Sequence, residues 1–250
     1  MDDPAKKDAL PAREGDAGLD PVRVERVADL FHEAGMLRHT PRTGWFFLGT
    51  GQEDVAEHSF RVALISFVLA RLAGADPYRA MAMGLFHDLH EARTGDANYM
   101  AQRYLEIRHR EAQADALAGT GLEEEVMGLY DEFEARETPE ARLAKDADQL
   151  DLICNLKEEL DKGNAFAREW LESALRRLRT PEAREVAHAV TRADHNRWWY
   201  GHVDRSWWID RQRRQRDASG APEPMRQGFG HWRASDDEAG GPDAEPPSGK

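Results

Sequence analysis

One cysteine, Cys154, is all the thiol in this 250-residue chain. That excludes an internal disulfide framework and any multi-cysteine zinc or iron–sulfur site, and it points to a reducing, cytoplasmic setting. Long apolar runs are missing too. The longest, Val62 to Ala70, has nine residues and is interrupted by Ser66, far short of the ~20 that a membrane helix needs. The opening Met-Asp-Asp-Pro-Ala-Lys-Lys has no apolar stretch, where a secretory signal carries one of ~7–15 residues. Basic excess is lacking as well: the net charge is −13, which argues against nucleic acid or a membrane surface as partner. Period-2 alternation is absent, and no repeat of ~20–50 residues is evident.

What the sequence does have is helix punctuation. Asp20-Pro21, Asp76-Pro77, Thr138-Pro139 and Thr180-Pro181 each set a capping residue before a proline, the pattern of an N-cap with proline at the first helical position. Apolar residues follow at helical spacing, as in Val24, Val27, Leu30 and Phe31, or Leu143, Ala147, Leu150 and Ile153. The fold class is all-α. Glu57 to Ala73 is apolar nearly all round, so it is expected to form a central buried helix. The stretch from Thr40 to Asp54, with three glycines, Trp45, Phe46 and Phe47, reads as a long, partly buried loop. Composition divides the chain into a disordered leader (1–20), one compact domain (21–210) and a disordered acidic tail (211–250). The pairs Trp198-Trp199 and Trp207-Trp208 read as cover for a core edge or a subunit interface. Phe229 and Trp232 are isolated aromatics in a solvated tail.

Chemistry concentrates in His58, His87-Asp88 and Asp148. Two imidazoles and two carboxylates suit a divalent first-row metal, form a roughly neutral cage for it, and leave coordination positions open for water and substrate. Each residue alone is weak evidence. Context strengthens them: His87-Asp88 follows the almost wholly apolar Ala80–Phe86, where a buried imidazole and carboxylate are costly unless paired or metal-bound.

The order His…His-Asp…Asp resembles the HD-domain metal-dependent phosphohydrolases, and within them the 5′-deoxynucleotidase branch. Glu57-His58-Ser59 is similar to that branch's first-ligand motif. The run from His87 to Asp96, His-Asp-Leu-His-Glu-Ala-Arg-Thr-Gly-Asp, is similar to its His-Asp-x-x-Glu-x-x-x-Gly-Asp signature. Lys145-Asp146-Ala147-Asp148, with Leu156 to Leu160 and Gly163-Asn164 beyond it, resembles the third motif, and Pro41 to Trp45 resembles a loop ahead of the first ligand. The resemblance implies a helical bundle whose His58, His87, Asp88 and Asp148 bind one divalent cation (Mn, Co, Mg, Fe or Zn). It implies Glu91 as the catalytic carboxylate, Asp96 as a sugar contact or water-positioning group, and Arg42 as a phosphate contact. The implied activity is hydrolysis of 5′-(deoxy)nucleoside monophosphates to nucleoside and phosphate, by a homodimer.

Physical chemistry is consistent with those roles. Glu91 lies four residues after His87 and three after Asp88, a spacing that shares a helical face. Gly95 permits a sharp turn that returns Asp96 toward the same pocket. Arg42 offers a planar fork for phosphate oxygens. The sequence departs from the branch in two places. Thr43-Gly44 separates Arg42 from Trp45, where characterised members place an aromatic directly after the arginine; and position 90 is histidine, read as an outer neighbour of the cage. Lys145 is read as solvated. Two other readings stay open: a deoxynucleoside triphosphohydrolase or other HD-type nucleotide phosphohydrolase, and a non-catalytic nucleotide sensor. An HD-GYP phosphodiesterase lacks its Gly-Tyr-Pro element here, and a di-iron oxygenase would need more ligands than His90 and His109 between Asp88 and Asp148.

Overall fold

A computed structural model of the chain describes residues 19–201. They divide into two units, one ending at His195 and one beginning at Asn196. The first contains ten α-helices: α1 (Pro21–Ala34), α2 (Trp45–Leu48), α3 (Val55–Ala73), α4 (Pro77–Phe86), α5 (Glu91–Thr94), α6 (His109–Leu117), α7 (Glu123–Ala135), α8 (Pro139–Asp161), α9 (Ala167–Arg177) and α10 (Pro181–Arg192). No β-strand occurs among the described residues; an isolated antiparallel bridge joins Pro41 to Asp54. In the second unit, Arg197–Gly201 forms a single π-helical turn in which Trp199 Nε1 donates to Asn196 Oδ1. Residues 1–18 of the leader, the acidic tail, Trp207-Trp208, Phe229 and Trp232 lie outside the described residues, as does the expected end of the domain at 210.

Each Asx/Thr-Pro pair starts a helix, and each capping oxygen accepts a backbone N–H. Asp20 takes that of Val22, Asp76 those of Tyr78 and Arg79, Thr138 that of Ala141, and Thr180 that of Ala183. Proline at N1 costs nothing at those starts because its missing N–H would have had no helical partner. Helix α3 opens with a capping box instead: Asp54 accepts from Glu57 N at 2.8 Å while the Glu57 carboxylate accepts from Asp54 N. That box sets the entry of the helix three residues before His58.

The helix buried along its whole length is α8 rather than α3. Leu143, Ala147, Leu150, Ile153 and Leu156 on α8 form the main core with Val62, Leu69 and Ala70 of α3, Ala80 of α4, and residues of α9 and α10. Helix α3 buries one face, but Phe60, Leu64 and Leu72 on its other face stay exposed, Phe60 at 70%. Apolarity around the whole circumference of α3 therefore reflects two apolar faces, of which this unit covers one.

Helices α3 and α4 meet at Gly84. A Cβ placed there would lie 2.8 Å from Ser66 Oγ and 3.1 Å from the Ala63 backbone, so glycine permits the close approach. The same residue's carbonyl accepts a hydrogen bond from His87 Nδ1 at 2.9 Å. Gly84→Ala is therefore expected to cost about 1–3 kcal/mol through overpacking and to loosen His87. A thermal melt and a cation titration of the same variant check both effects.

Candidate functional site

The end of α4, the turn after it, the start of α3 and the middle of α8 bring His87, Asp88, His58 and Asp148 together. His58 Nε2 lies 3.3 Å from His87 Nε2 and 3.4 Å from Asp148 Oδ1. Asp88 Oδ2 lies 3.1 Å from His87 Nε2 and 3.5 Å from His58 Nε2. The sequence spreads these residues over ninety positions; the fold returns them to one cluster.

The imidazoles are held by their other nitrogens. His87 Nδ1 donates to the Gly84 carbonyl, and His58 Nδ1 donates to Asp151 Oδ2 at 2.7 Å. Each ring thus presents Nε2 to the cluster, the arrangement by which outer hydrogen bonds fix the tautomer and aim of a metal-binding histidine. Asp151 is 1% exposed and is also held by Arg61 Nε. Arg61 reaches Glu53 in turn, and Glu53 accepts from Asn155 Nδ2 at 2.7 Å. Burial and the neighbouring Asp151 push the Glu53 carboxyl up to about 7.

Without a cation, protons and Arg42 balance this cluster. Burial and Arg42 oppose a charge on His58, but hydrogen bonds to Asp148 and Asp151 prevail and raise it to about 10. Asp88 and Asp148, despite burial, are held below the usual carboxylate range by the imidazoles and Arg42. Arg42 Nη1 sits 3.3 Å from Asp88 Oδ2 and 3.5 Å from Asp96 Oδ1, so its guanidinium stays charged.

Glu91, at the first position of α5, is 7% exposed, and its Oε2 is buried without a hydrogen-bond partner. Burial, then the charges of Asp88 and Asp96, push its carboxyl up to about 9. After α5 the chain turns at Gly95, whose φ of 71° lies in the region that glycine favours. The turn returns Asp96, whose Oδ2 accepts from Thr43 N at 2.6 Å and Thr43 Oγ1 at 2.9 Å. Thr43, the residue that departs from the family pattern, therefore anchors Asp96 while Oδ1 faces Arg42.

The candidate residues border a cavity of about 600 Å³, a size suited to a small ligand. Arg42, Asp88, Glu91, Asp96 and Asp148 supply its polar wall. Trp45, Phe47, Tyr99 and Trp170 supply aromatic surface. The expected loop contains the short α2, which buries Trp45 and Leu48 and so fixes Arg42 and Thr43.

All seven sequence candidates, Arg42, His58, His87, Asp88, Glu91, Asp96 and Asp148, meet at this site. Asp151 was not among them, although it follows Asp148 by one helical turn on α8. His90 turns to a different neighbourhood: its ring lies 4.5 Å from that of His109 and 5.8 Å from that of Tyr130, and burial pushes it down to about 4. Asp146 caps the approach to α10, accepting from Arg179 N and Thr180 N. Lys145 pairs with Glu134 at 2.7 Å and lies over the Phe133 ring.

The HD-domain family model matches residues 34–190, a span that contains every one of these groups. The chain belongs to the HD-domain family. It is 30% identical over 167 residues to a Danio rerio protein named 5′-deoxynucleotidase HDDC2, covering 64% of this chain and 83% of that one. Among solved structures it is similar to a conserved hypothetical protein from Pyrococcus furiosus, with 34% identity and a TM-score of 0.57 over 66% of this chain and 99% of the other. A structure described as a predicted metal-dependent phosphohydrolase from Magnetospirillum magnetotacticum MS-1 matches at 26% identity and a TM-score of 0.51, over 68% and 91%.

Proposed function

We propose that this HD-domain protein is a metal-dependent phosphohydrolase that cleaves 5′-(deoxy)nucleoside monophosphates to nucleoside and phosphate. The observation that carries the reading is the convergence of His58 Nε2, His87 Nε2, Asp88 Oδ2 and Asp148 Oδ1, with both histidines aimed from behind, beside a buried carboxyl that has an unpartnered oxygen. Two neutral imidazoles and two carboxylates fit one dication, so these four residues are assigned to hold it. Kinship with a protein named as a 5′-deoxynucleotidase supports the substrate class.

A divalent cation bound there supplies positive charge to a phosphate oxygen and acidifies water. The protein's own groups do the rest. Arg42 pairs with the phosphate oxygens and opposes the charge that they carry as the bond to the leaving oxygen breaks. Its position between Asp88 and Asp96 keeps it charged and aimed into the cavity. Glu91, with its carboxyl raised by burial, holds a proton that it gives to the departing O5′ of the sugar. The Asp88 charge that helps hold the Glu91 carboxyl at about 9 would be offset in part with a cation held at Asp88, which would lower that carboxyl. Asp96, anchored by Thr43, contacts the sugar. The aromatic wall excludes water around the nucleoside.

A homodimer belongs to the same reading, supported by the strip of Phe60, Leu64 and Leu72 left exposed on α3. A cytoplasmic setting is supported by the lone Cys154. Among the described residues, no helix is long and apolar enough to cross a membrane.

The test is phosphate release from a panel of deoxy- and ribonucleoside monophosphates. Metal-stripped protein is refilled separately with Mn²⁺, Co²⁺, Mg²⁺, Fe²⁺ and Zn²⁺. Metal-dependent release favouring deoxy substrates is expected. Nucleotide binding without release under any metal would favour the sensor.

A further inference from the structure

A second cavity, of about 680 Å³, adjoins the first. The two share Tyr99, Asp148, Gln149 and Arg177, so they meet at a cage carboxylate. Five cations line the second one: Arg136, Arg142, Lys145, Arg177 and Arg179. Such a concentration is unexpected in a chain of net charge −13.

Several arginines elsewhere are matched with carboxylates, Arg79 with Glu132, Arg93 with Glu33 and Arg110 with Asp131, and others, such as Arg23 and Arg184, donate to backbone carbonyls. The cations of the second cavity mostly lack an acidic partner. Among the described residues, the side chains of Arg136, Arg142 and Arg179 face no carboxylate within ion-pair distance. Arg177 donates to Tyr99 Oη and to Gln149 Oε1 rather than to an acid. Lys145 alone has an acidic partner, Glu134. Asp146 borders the cavity, but Arg179 N, Thr180 N and Thr180 Oγ1 all donate to its carboxylate, which engages it in capping α10. Arg136, the C-cap of α7, is also the one non-glycine residue with positive φ among the described residues, at 57°, the left-handed conformation in which helices commonly end.

Helix α8 links the two cavities. Arg142, Lys145 and Asp148 follow at spacings of three, which places them on one face. At a rise of about 1.5 Å per residue, Arg142 stands roughly 9 Å along the axis from Asp148. Like charges gathered in a concavity repel one another and concentrate an anion there, and guanidinium forks match phosphate oxygens.

We propose that this basic cavity is a second phosphate subsite, which takes a non-scissile phosphoryl group of a nucleotide whose scissile phosphate lies at His58, His87, Asp88 and Asp148. The inference rests on the phosphohydrolase reading of that cage. The second phosphoryl group either continues the 5′ chain, as in a nucleoside di- or triphosphate, or sits on the sugar, as in a 3′,5′-bisphosphate.

The test titrates Mn²⁺-loaded Glu91→Gln protein calorimetrically with deoxynucleoside monophosphates, diphosphates, triphosphates and 3′,5′-bisphosphates of all four bases. For at least one base, a second phosphoryl group is expected to tighten binding by about ten-fold or more over the monophosphate, about 1.4 kcal/mol. The double variant R142A/R179A, made in the same background, is expected to lose that gain. A gain with diphosphates assigns the chain; a gain with bisphosphates assigns the sugar. Equal affinity for mono- and bis-phosphorylated ligands, or a gain that survives in the double variant, overturns the subsite. Both arginines are exposed; should the double variant still fail to fold, R142Q and R179Q singly are each expected to lose part of the gain. Phosphate release by the unaltered protein separates the two ideas. Release from monophosphates with no affinity gain overturns the subsite alone. Absence of release from every nucleotide overturns the phosphohydrolase reading, and the titration still decides the subsite.

Discussion

Glu91→Ala is expected to cut phosphate release by about 10²–10⁴-fold while the protein still takes up its cation. The cage atoms belong to His58, His87, Asp88 and Asp148, and each histidine is aimed by a group other than Glu91. Glu91 can therefore be removed without taking away a ligand or its support. The loss should fall on kcat at saturating metal, because a proton donor acts as the sugar oxygen departs. Glu91→Gln should behave alike, since an amide is nearly isosteric but gives up no proton at working pH. In the unaltered enzyme the acid role predicts an alkaline limb in the kcat profile, at or below the value of about 9 that the cation-free site imposes. That limb should be absent from the residual activity of either variant.

A second readout follows from the same burial. A carboxyl whose folded pKa lies near 9, against 4.5 for an ordinary glutamate, binds its proton more tightly in the folded state. Above the unfolded pKa its ionisation costs stability, and the cost grows with pH until it levels off past the folded value. Glu91→Gln should thus raise the Tm of the cation-free protein at neutral pH even as activity collapses. Loss of activity together with a lowered Tm, or unchanged turnover, would sink the assignment. A residue kept at a cost to stability fits a functional role.

Much of this was legible in the sequence because the signals were local. A capping residue before proline reports a helix start within a few positions, and all four such pairs begin helices: α1, α4, α8 and α10. The His-Asp-x-x-Glu-x-x-x-Gly-Asp run encodes its own geometry, since one helical turn and one glycine suffice to bring Glu91 and Asp96 back to His87 and Asp88. What stayed hidden depends on tertiary placement. Whether α3 or α8 lies at the centre turns on which apolar face finds a partner, and apolar content alone does not say. Asp151 looks like any helical acid until the fold sets it against His58 and Arg61, although its one-turn offset from Asp148 is visible in retrospect. Thr43 looked like an interruption between Arg42 and Trp45, because its partner Asp96 is fifty-three residues away. The basic cavity draws its cations from the end of α7, from α8 and from the α9–α10 connection, so no window of sequence contains it.

The sharpest test of the cage as a metal site is Asp151, which touches no candidate ligand atom. Its Oδ2 accepts from His58 Nδ1 and thereby holds Nε2 toward His87, Asp88 and Asp148. Asp151→Asn keeps the size but gives up the charge, and it offers an N–H that can compete with the His58 bond. Cation affinity is expected to fall by about 10–100-fold, and saturating metal should restore most of kcat because the four cage atoms are all still present. Asp151→Ala goes further. It leaves His58 Nδ1, in a fully buried ring, and one face of Arg61 without a partner, at a cost of about 1–3 kcal/mol. Arg61 keeps Glu53 as a partner and some exposure, which holds the penalty in that range. Cation titration and thermal melting on the two variants separate aiming from packing. If Asp151 aims the histidine, Asn weakens the cation with little change in Tm, and Ala does both. Should Asn bind cations as tightly as the unaltered protein, the His58–Asp151 pair would be structural only, and the case for His58 as a ligand would lose its main geometric support.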